Sequence, residues 1–189
     1  IVEEEQQGKE RADYGTQLTL KSGNPHDAIA PGWFFPVVLP RVDPCIGGDC
    51  YRDNIASCNG VRMSIGDWIS NEPGNMIGPT KQGVDALIAL DPGARWDGDG
   101  IVGGCMGAGT CTRSPRMVAL PLFDVEVYSA GKLSGRQDIK IVNIMGFFIE
   151  RMQGNDVVGR ITHYPGAFDP GAQEPNPNTA FQRVILLVR

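Results

Sequence analysis

The sequence predicts an α+β fold dominated by β structure. It would have a mostly antiparallel or mixed sheet, one main helix over about residues 79–90 packed on one face, and long Gly/Pro-rich loops stabilised by disulfides. Three observations carry this reading. Of 189 residues, 25 are Gly and 14 are Pro, a share that favours many turns and few long helices. A single stretch shows clear helical spacing. The last third is built of apolar runs of strand length. With 41% hydrophobic residues the chain can bury a core, and its length suits one domain. Residues 14–189 are assigned to that domain, and the charged residues 1–13 to a flexible or extended N-terminal arm.

In chain order, residues 14–21 alternate Leu18 and Leu20 with Gln17, Thr19 and Lys21, the pattern of a half-buried strand. Residues 30–40 carry three internal or flanking prolines around Trp33, Phe34 and Phe35, which fits an extended edge segment. Those three aromatics have two readings, core side chains or an interaction surface. Residues 51–56 suit one or two helical turns. Residues 61–69 read as a short strand with a bend at Gly66 and Asp67. Over 79–90, Pro79 fits a first helical turn, and Val84, Leu87 and Ile88 recur at helical spacing. Asp91, Pro92 and Gly93 end that helix. Residues 91–116 show no regular pattern and are costly to order without a cross-link or an ion. Strands are expected over 116–127, 137–150, 156–164 and 181–188, with a Pro/Gly/Asn connection at 165–178.

The five cysteines stand at Cys45, Cys50, Cys58, Cys105 and Cys111, with spacings poorly matched to zinc sites. Disulfides are the preferred reading, and they place the chain outside the cytoplasm. One arrangement joins Cys45 to Cys50 and Cys58 to Cys105 or Cys111. The other closes Cys105 with Cys111 as a second small loop. An odd count leaves at least one thiol free or paired with another chain. No run of about 18 apolar residues is present to span a bilayer. The opening Ile1-Val-Glu-Glu-Glu reads as a processed or truncated end, leaving room for an anchor or signal before it.

Net charge is −5 and dispersed, so a nucleic-acid footprint is not expected. Ser64 lacks the first glycine of a nucleophile elbow. The run from Gly74 to Lys81 has glycines and a lysine, but Pro79 spoils a phosphate-cradling turn, and helix entry is the better reading. Asp124 and Glu126 fall on one face of an extended segment, thin support for glycosidase chemistry. His26 and His163 have no motif partner. Asp97 and Asp99 resemble a fragment of a calcium loop, but Ile101 and Ala108 occupy places where an EF-hand needs oxygen ligands. An irregular calcium site using Asp91, Asp97 and Asp99 is the single cofactor candidate.

Several phrases together carry a resemblance. They include Gly23-Asn-Pro-His-Asp, Ala30-Pro-Gly-Trp-Phe-Phe-Pro, Gly48-Asp-Cys-Tyr-Arg-Asp-Asn-Ile-Ala-Ser-Cys-Asn and Gly74-Asn-Met-Ile-Gly-Pro-Thr-Lys-Gln-Gly-Val. Ser114-Pro-Arg-Met-Val-Ala-Leu-Pro-Leu-Phe-Asp and Val142-Asn-Ile-Met-Gly-Phe-Phe-Ile extend them over most of residues 15–189. The chain resembles the C-terminal extracytoplasmic region of TadG/TadE-like proteins associated with tight-adherence (Flp-type) pilus assembly. The resemblance implies a non-enzymatic structural or assembly role at the bacterial envelope, as a filament subunit or minor component. It implies self-association or contact with other pilus or envelope proteins, and membrane attachment through an N-terminal anchor that this chain lacks. It supplies no catalytic residues. The alternatives from other classes are a secreted hydrolase and a calcium- or ligand-binding module.

Overall fold

The computed structural model describes residues 14–22, 33–39, 45–57, 63–74, 76–123 and 136–163. The expectations for the arm at 1–13, for His26, for Asp124 and Glu126, for the connection at 165–178 and for the strand at 181–188 lie outside them. The β-dominated α+β reading is correct. Antiparallel pairing prevails, with one parallel pair between β1 (Gln17–Ser22) and β2 (Trp33–Phe34).

The spine is β8 (Asp138–Gln153), sixteen residues long. Its first residues pair with β4 (Trp68–Asn71), its middle with β7 (Met117–Phe123), and its second half with β9 (Asp156–Thr162). The strand path runs β2-β1-β9-β8-β4-β3, with β3 (Val37–Val38) at its far end and β7 attached to β8 off the path. Phe35 and Pro36 alone separate β2 from β3 in the chain, so the two ends of the path lie close together and the sheet curls round. Burial along β8 tracks this. It alternates from Asp138 to Ile141, as expected for a sheet covered on one face, then becomes continuous from Met145 to Ile149, where both faces are covered.

The main helix, α2 (Ile77–Ala89), covers one face and starts two residues before the expected boundary. Thr80, Gly83, Val84 and Leu87 form its buried stripe, spaced as i, i+3, i+4 and i+7. They meet Leu20, Leu120, Phe147 and Ile149 of the sheet in the larger core. Lys81 and Asp85 pair on the exposed side at 2.6 Å, consistent with helix entry rather than phosphate binding. A second helix, α1 (Gly48–Ala56), packs on α2 through Tyr51 and Ile55, and is longer than the one or two turns read from 51–56. A smaller core of Phe35, Val37, Ile69, Phe123, Ile139 and Ile141 fills the β3–β4 end.

Three expectations are corrected. Residues 91–116 hold regular structure after all, a hairpin of β5 (Ala94–Trp96) and β6 (Ile101–Gly103) followed by the single turn α3 (Gly104–Gly107), with the expected cross-link supplied by Cys105–Cys111. Phe34 and Phe35 do not form an interaction surface. Neighbours in an extended segment point to opposite sides, so Phe34 enters the larger core and Phe35 the smaller one, both 3% exposed or less. The backbone of Trp33 pairs in β2, and its side chain lies outside the described part. Finally, Cys45 bonds Cys50 as expected, but Cys58 does not bridge to Cys105 or Cys111, because those two bond each other. The turn at α3 brings their Cα atoms to 5.3 Å, well within disulfide reach. Cys58 lies outside the described residues.

Candidate functional site

The glycine-rich stretch is held by two buried charges. Asp91 follows α2 and is 2% exposed. Its Oδ1 accepts the Cys105 N–H at 2.8 Å, and its Oδ2 accepts the Ser114 hydroxyl. Gly104 takes φ +55, and a Cβ there would lie on Asp91 Oδ1, so the close approach requires glycine. Arg116, 4% exposed, donates to four carbonyls on three segments. These are Asp91 O and Ala94 O from Nη1, Ile149 O from Nε, and Glu150 O from Nη2, at 2.6–3.1 Å. Its guanidinium also lies 5.0 Å over the Phe148 ring. Burial pushes Arg116 below its usual basicity, opposed by the Asp91 and Glu150 carboxylates. The clasp therefore joins the end of α2, the β5–β6 hairpin and the outer end of β8.

Two β-bulges lie beside it. Along β8, Ile149 faces Gly159 and Arg151 faces Val158, so Glu150 is the extra residue. Near β1, Gly15 N–H reaches Ile161 O while Ile161 N–H reaches Thr16 O, so two residues oppose one. Gly15 takes φ +80 there, the conformation a glycine bulge requires. Arg160 bridges the two bulges, donating from Nε to Glu150 Oε1 and from Nη1 to Gly15 O, both at 2.8 Å. Gln17 donates to the other Glu150 oxygen at 2.6 Å.

The bulges and the hairpin bring an aromatic cluster to one end of the sheet. Tyr14 stacks on His163 with centroids 4.7 Å apart, and Trp96 tilts against Tyr14 at 5.4 Å. The Arg160 guanidinium lies 5.7 Å from the Trp96 ring. The hairpin tip adds Asp97 and Asp99. The backbone N–H groups of Asp99 and Gly100 hold the Asp97 carboxyl below its usual range. Burial, then the Asp99 and Asp97 carboxylates, push the Tyr14 hydroxyl up, so it stays protonated at neutral pH. The cluster thus presents a phenol donor beside two exposed carboxylates.

Thr162, next to His163, is 3% exposed, and its hydroxyl has no hydrogen-bond partner among the described residues. Thr162→Val is expected to leave stability unchanged or raise it by up to about 1 kcal/mol, because it removes an unpaired buried hydroxyl. A loss of similar size in urea denaturation would mean that a bound molecule satisfies that oxygen.

Comparison with protein-family models, curated proteins and solved structures finds no match.

Of the calcium candidates, Asp97 and Asp99 meet at the hairpin tip, while Asp91 is buried in the clasp with both oxygens used. Among the described residues no three His, Cys, Asp or Glu side chains group as a metal site. Calcium at millimolar concentration is therefore expected to move the melting temperature by less than about 1 °C. A rise of several degrees would show binding. The cavity in the larger core, beside Leu20, Phe34, Val84 and Phe147, holds about 10 Å³, the scale of one water rather than a substrate.

Tyr14, Trp96, Arg116, Glu150 and Arg160 escaped the sequence reading. A signal existed for the two arginines. Each is a lone charge against an apolar run, Arg116 before Met-Val-Ala-Leu and Arg160 inside Val-Val-Gly-Arg-Ile. A charge in a buried strand must be paired. For Tyr14 and Trp96 no local signal marks the contact, since they meet only through the bulge and the hairpin.

Proposed function

We propose that this chain is an extracytoplasmic structural or assembly protein of the bacterial envelope, pilus-related, as a filament subunit or minor component. The observation that carries the reading is how the buried charges are used. Asp91, Arg116 and Glu72 are the buried charged residues among the described ones, and all three tie loops to the sheet. Glu72 pairs with Arg136 at 3.1 Å and accepts the Gly47 N–H ahead of α1. A catalytic group would instead be expected to face a cavity large enough for a substrate. Two disulfides fit an oxidising compartment. No helix among the described residues is long and apolar enough to cross a membrane. The resemblance to TadG/TadE-like proteins supplies the link to pili, with self-association or other envelope proteins as partners. The rival ligand-binding reading draws on the hairpin tip, where the half-buried Tyr14 stands beside the exposed Asp97 and Asp99.

Deleting the gene in its host and counting surface filaments by electron microscopy tests the proposal. Loss or shortening of filaments, restored by the wild-type gene, is the expected result. Unchanged filaments and unchanged surface adhesion would sink it.

A further inference from the structure

We infer that the Cys105–Cys111 disulfide is a reversible redox clasp, with Asp91 preset to receive the Cys105 thiol when a dithiol opens it. Cys105 Sγ lies 3.4 Å from Asp91 Oδ2. In the disulfide that sulfur carries no proton, so the contact is not a hydrogen bond. After reduction the same sulfur is an S–H donor already placed against its acceptor. Ser114 uses the same oxygen, whose lone pairs serve both donors.

What holds Cys105 does not depend on the S–S bond. Its N–H reaches Asp91 Oδ1, and Asp91 and Arg116 are fixed to the hairpin and the sheet. The segment closed by the bond, residues 106–110, is exposed from Gly107 onward. Thr110 ties it back, donating its N–H and hydroxyl to Cys105 O at 2.9 and 3.1 Å. Cys105 and Cys111 are both half-buried, whereas the other pair joins a half-buried Cys45 to a Cys50 that is 4% exposed. A reductant therefore reaches this bond, and opening it releases a small surface cap rather than the hairpin.

The reductant is a dithiol, either a small molecule or an oxidoreductase with a C-x-x-C pair. Its thiolate attacks Cys105 Sγ, the S–S bond breaks, and the electron pair leaves on Cys111, which takes a proton. The second thiolate of the reductant then attacks the reductant's own sulfur in the mixed disulfide. This closes the reductant disulfide and expels Cys105, which takes a proton and keeps it as an S–H group hydrogen-bonded to Asp91 Oδ2. The pair gains two electrons and two protons, and the dithiol loses as many. Charge sets the direction. In the exchange transition state the outer sulfurs carry most of the negative charge, so the sulfur beside a carboxylate is best placed in the middle.

The test equilibrates the full chain in reduced and oxidised dithiothreitol mixtures, blocks thiols with iodoacetamide, and maps them by mass spectrometry. The pair is expected to open and reclose fully while far-ultraviolet circular dichroism and tryptophan emission stay native. With glutathione as reductant and an acid quench at early times, before exchange equilibrates, the first mixed disulfide is expected on Cys105 over Cys111 by roughly tenfold. In Cys111→Ser, the Cys105 thiol should titrate at higher pH than the Cys111 thiol does in Cys105→Ser, read from alkylation rates. Loss of native dichroism on opening, a first-formed adduct mainly on Cys111, or Cys105 being the more acidic thiol each overturns the inference.

Discussion

Replacing Arg116 with methionine is expected to cost about 4 kcal/mol of folding free energy. Methionine keeps most of the apolar stem and removes a charge that is costly to bury. Replacing a whole buried ion network with apolar groups is often neutral. Here the partners stay behind. The carbonyls of Asp91, Ala94, Ile149 and Glu150 lose their donor, and the buried Asp91 carboxylate loses the opposing charge. Unpaired buried groups dominate the balance, so the loss outweighs the relief. For a chain of this size the melting temperature should fall by about 8–16 °C. Arg116→Lys keeps the charge but not the planar fork that spans three segments, and should recover less than half of the loss. Urea denaturation of the three proteins decides the matter. A cost below about 1 kcal/mol for Arg116→Met would show that the hairpin is held by something other than this arginine.

That result would also explain which parts of the fold the sequence could reveal. β8 was legible because its apolar run is long and flanked by polar turns, so its length and burial follow from composition. α2 was legible because Val84, Leu87 and Ile88 keep a helical period between Pro79 and Asp91. The β5–β6 hairpin was not. Its glycines give no propensity for a strand, and its order comes from Asp91 and Arg116, which stand at either end of the stretch. A pattern read within a window of ten or so residues cannot register that. The aromatic run at 33–35 left two readings open, and for Phe34 and Phe35 the core one holds. Three consecutive aromatics look like one patch, but an extended backbone turns adjacent side chains to opposite sides. The cysteines were legible as a disulfide set, while their pairing waited on the turn at α3. The contact cluster of Tyr14, Trp96 and His163 is the least legible part, because two bulges re-aim its members.

Gly159→Ala is expected to cost about 3 kcal/mol or more, through crowding rather than through an unusual backbone angle. Gly159 lies in β9, opposite Ile149 of β8 and Leu18 of β1. A Cβ there would stand 2.3 Å from Phe148 O and 2.6 Å from the Phe147 ring. Neither neighbour yields easily. Phe148 O belongs to the backbone of the spine, and Phe147 is fully buried in the larger core. A lone glycine inside the strand pattern Val-Val-Gly-Arg-Ile is the sequence mark of such an approach. Gly98→Ala is a contrasting control. Gly98 takes φ +111 in open space, so alanine there carries backbone strain alone, about 1 kcal/mol. Phe147→Leu separates the two sources of crowding at Gly159. If the ring is the main obstacle, the double variant should be less destabilised than the sum of the singles, by roughly 1 kcal/mol or more. Strict additivity would instead assign the cost to Phe148 O and to the spacing of β8 and β9 beside the Glu150 bulge. A single-variant cost near that of Gly98→Ala would mean the two strands part freely at this point, and the tight sheet described above would be wrong there.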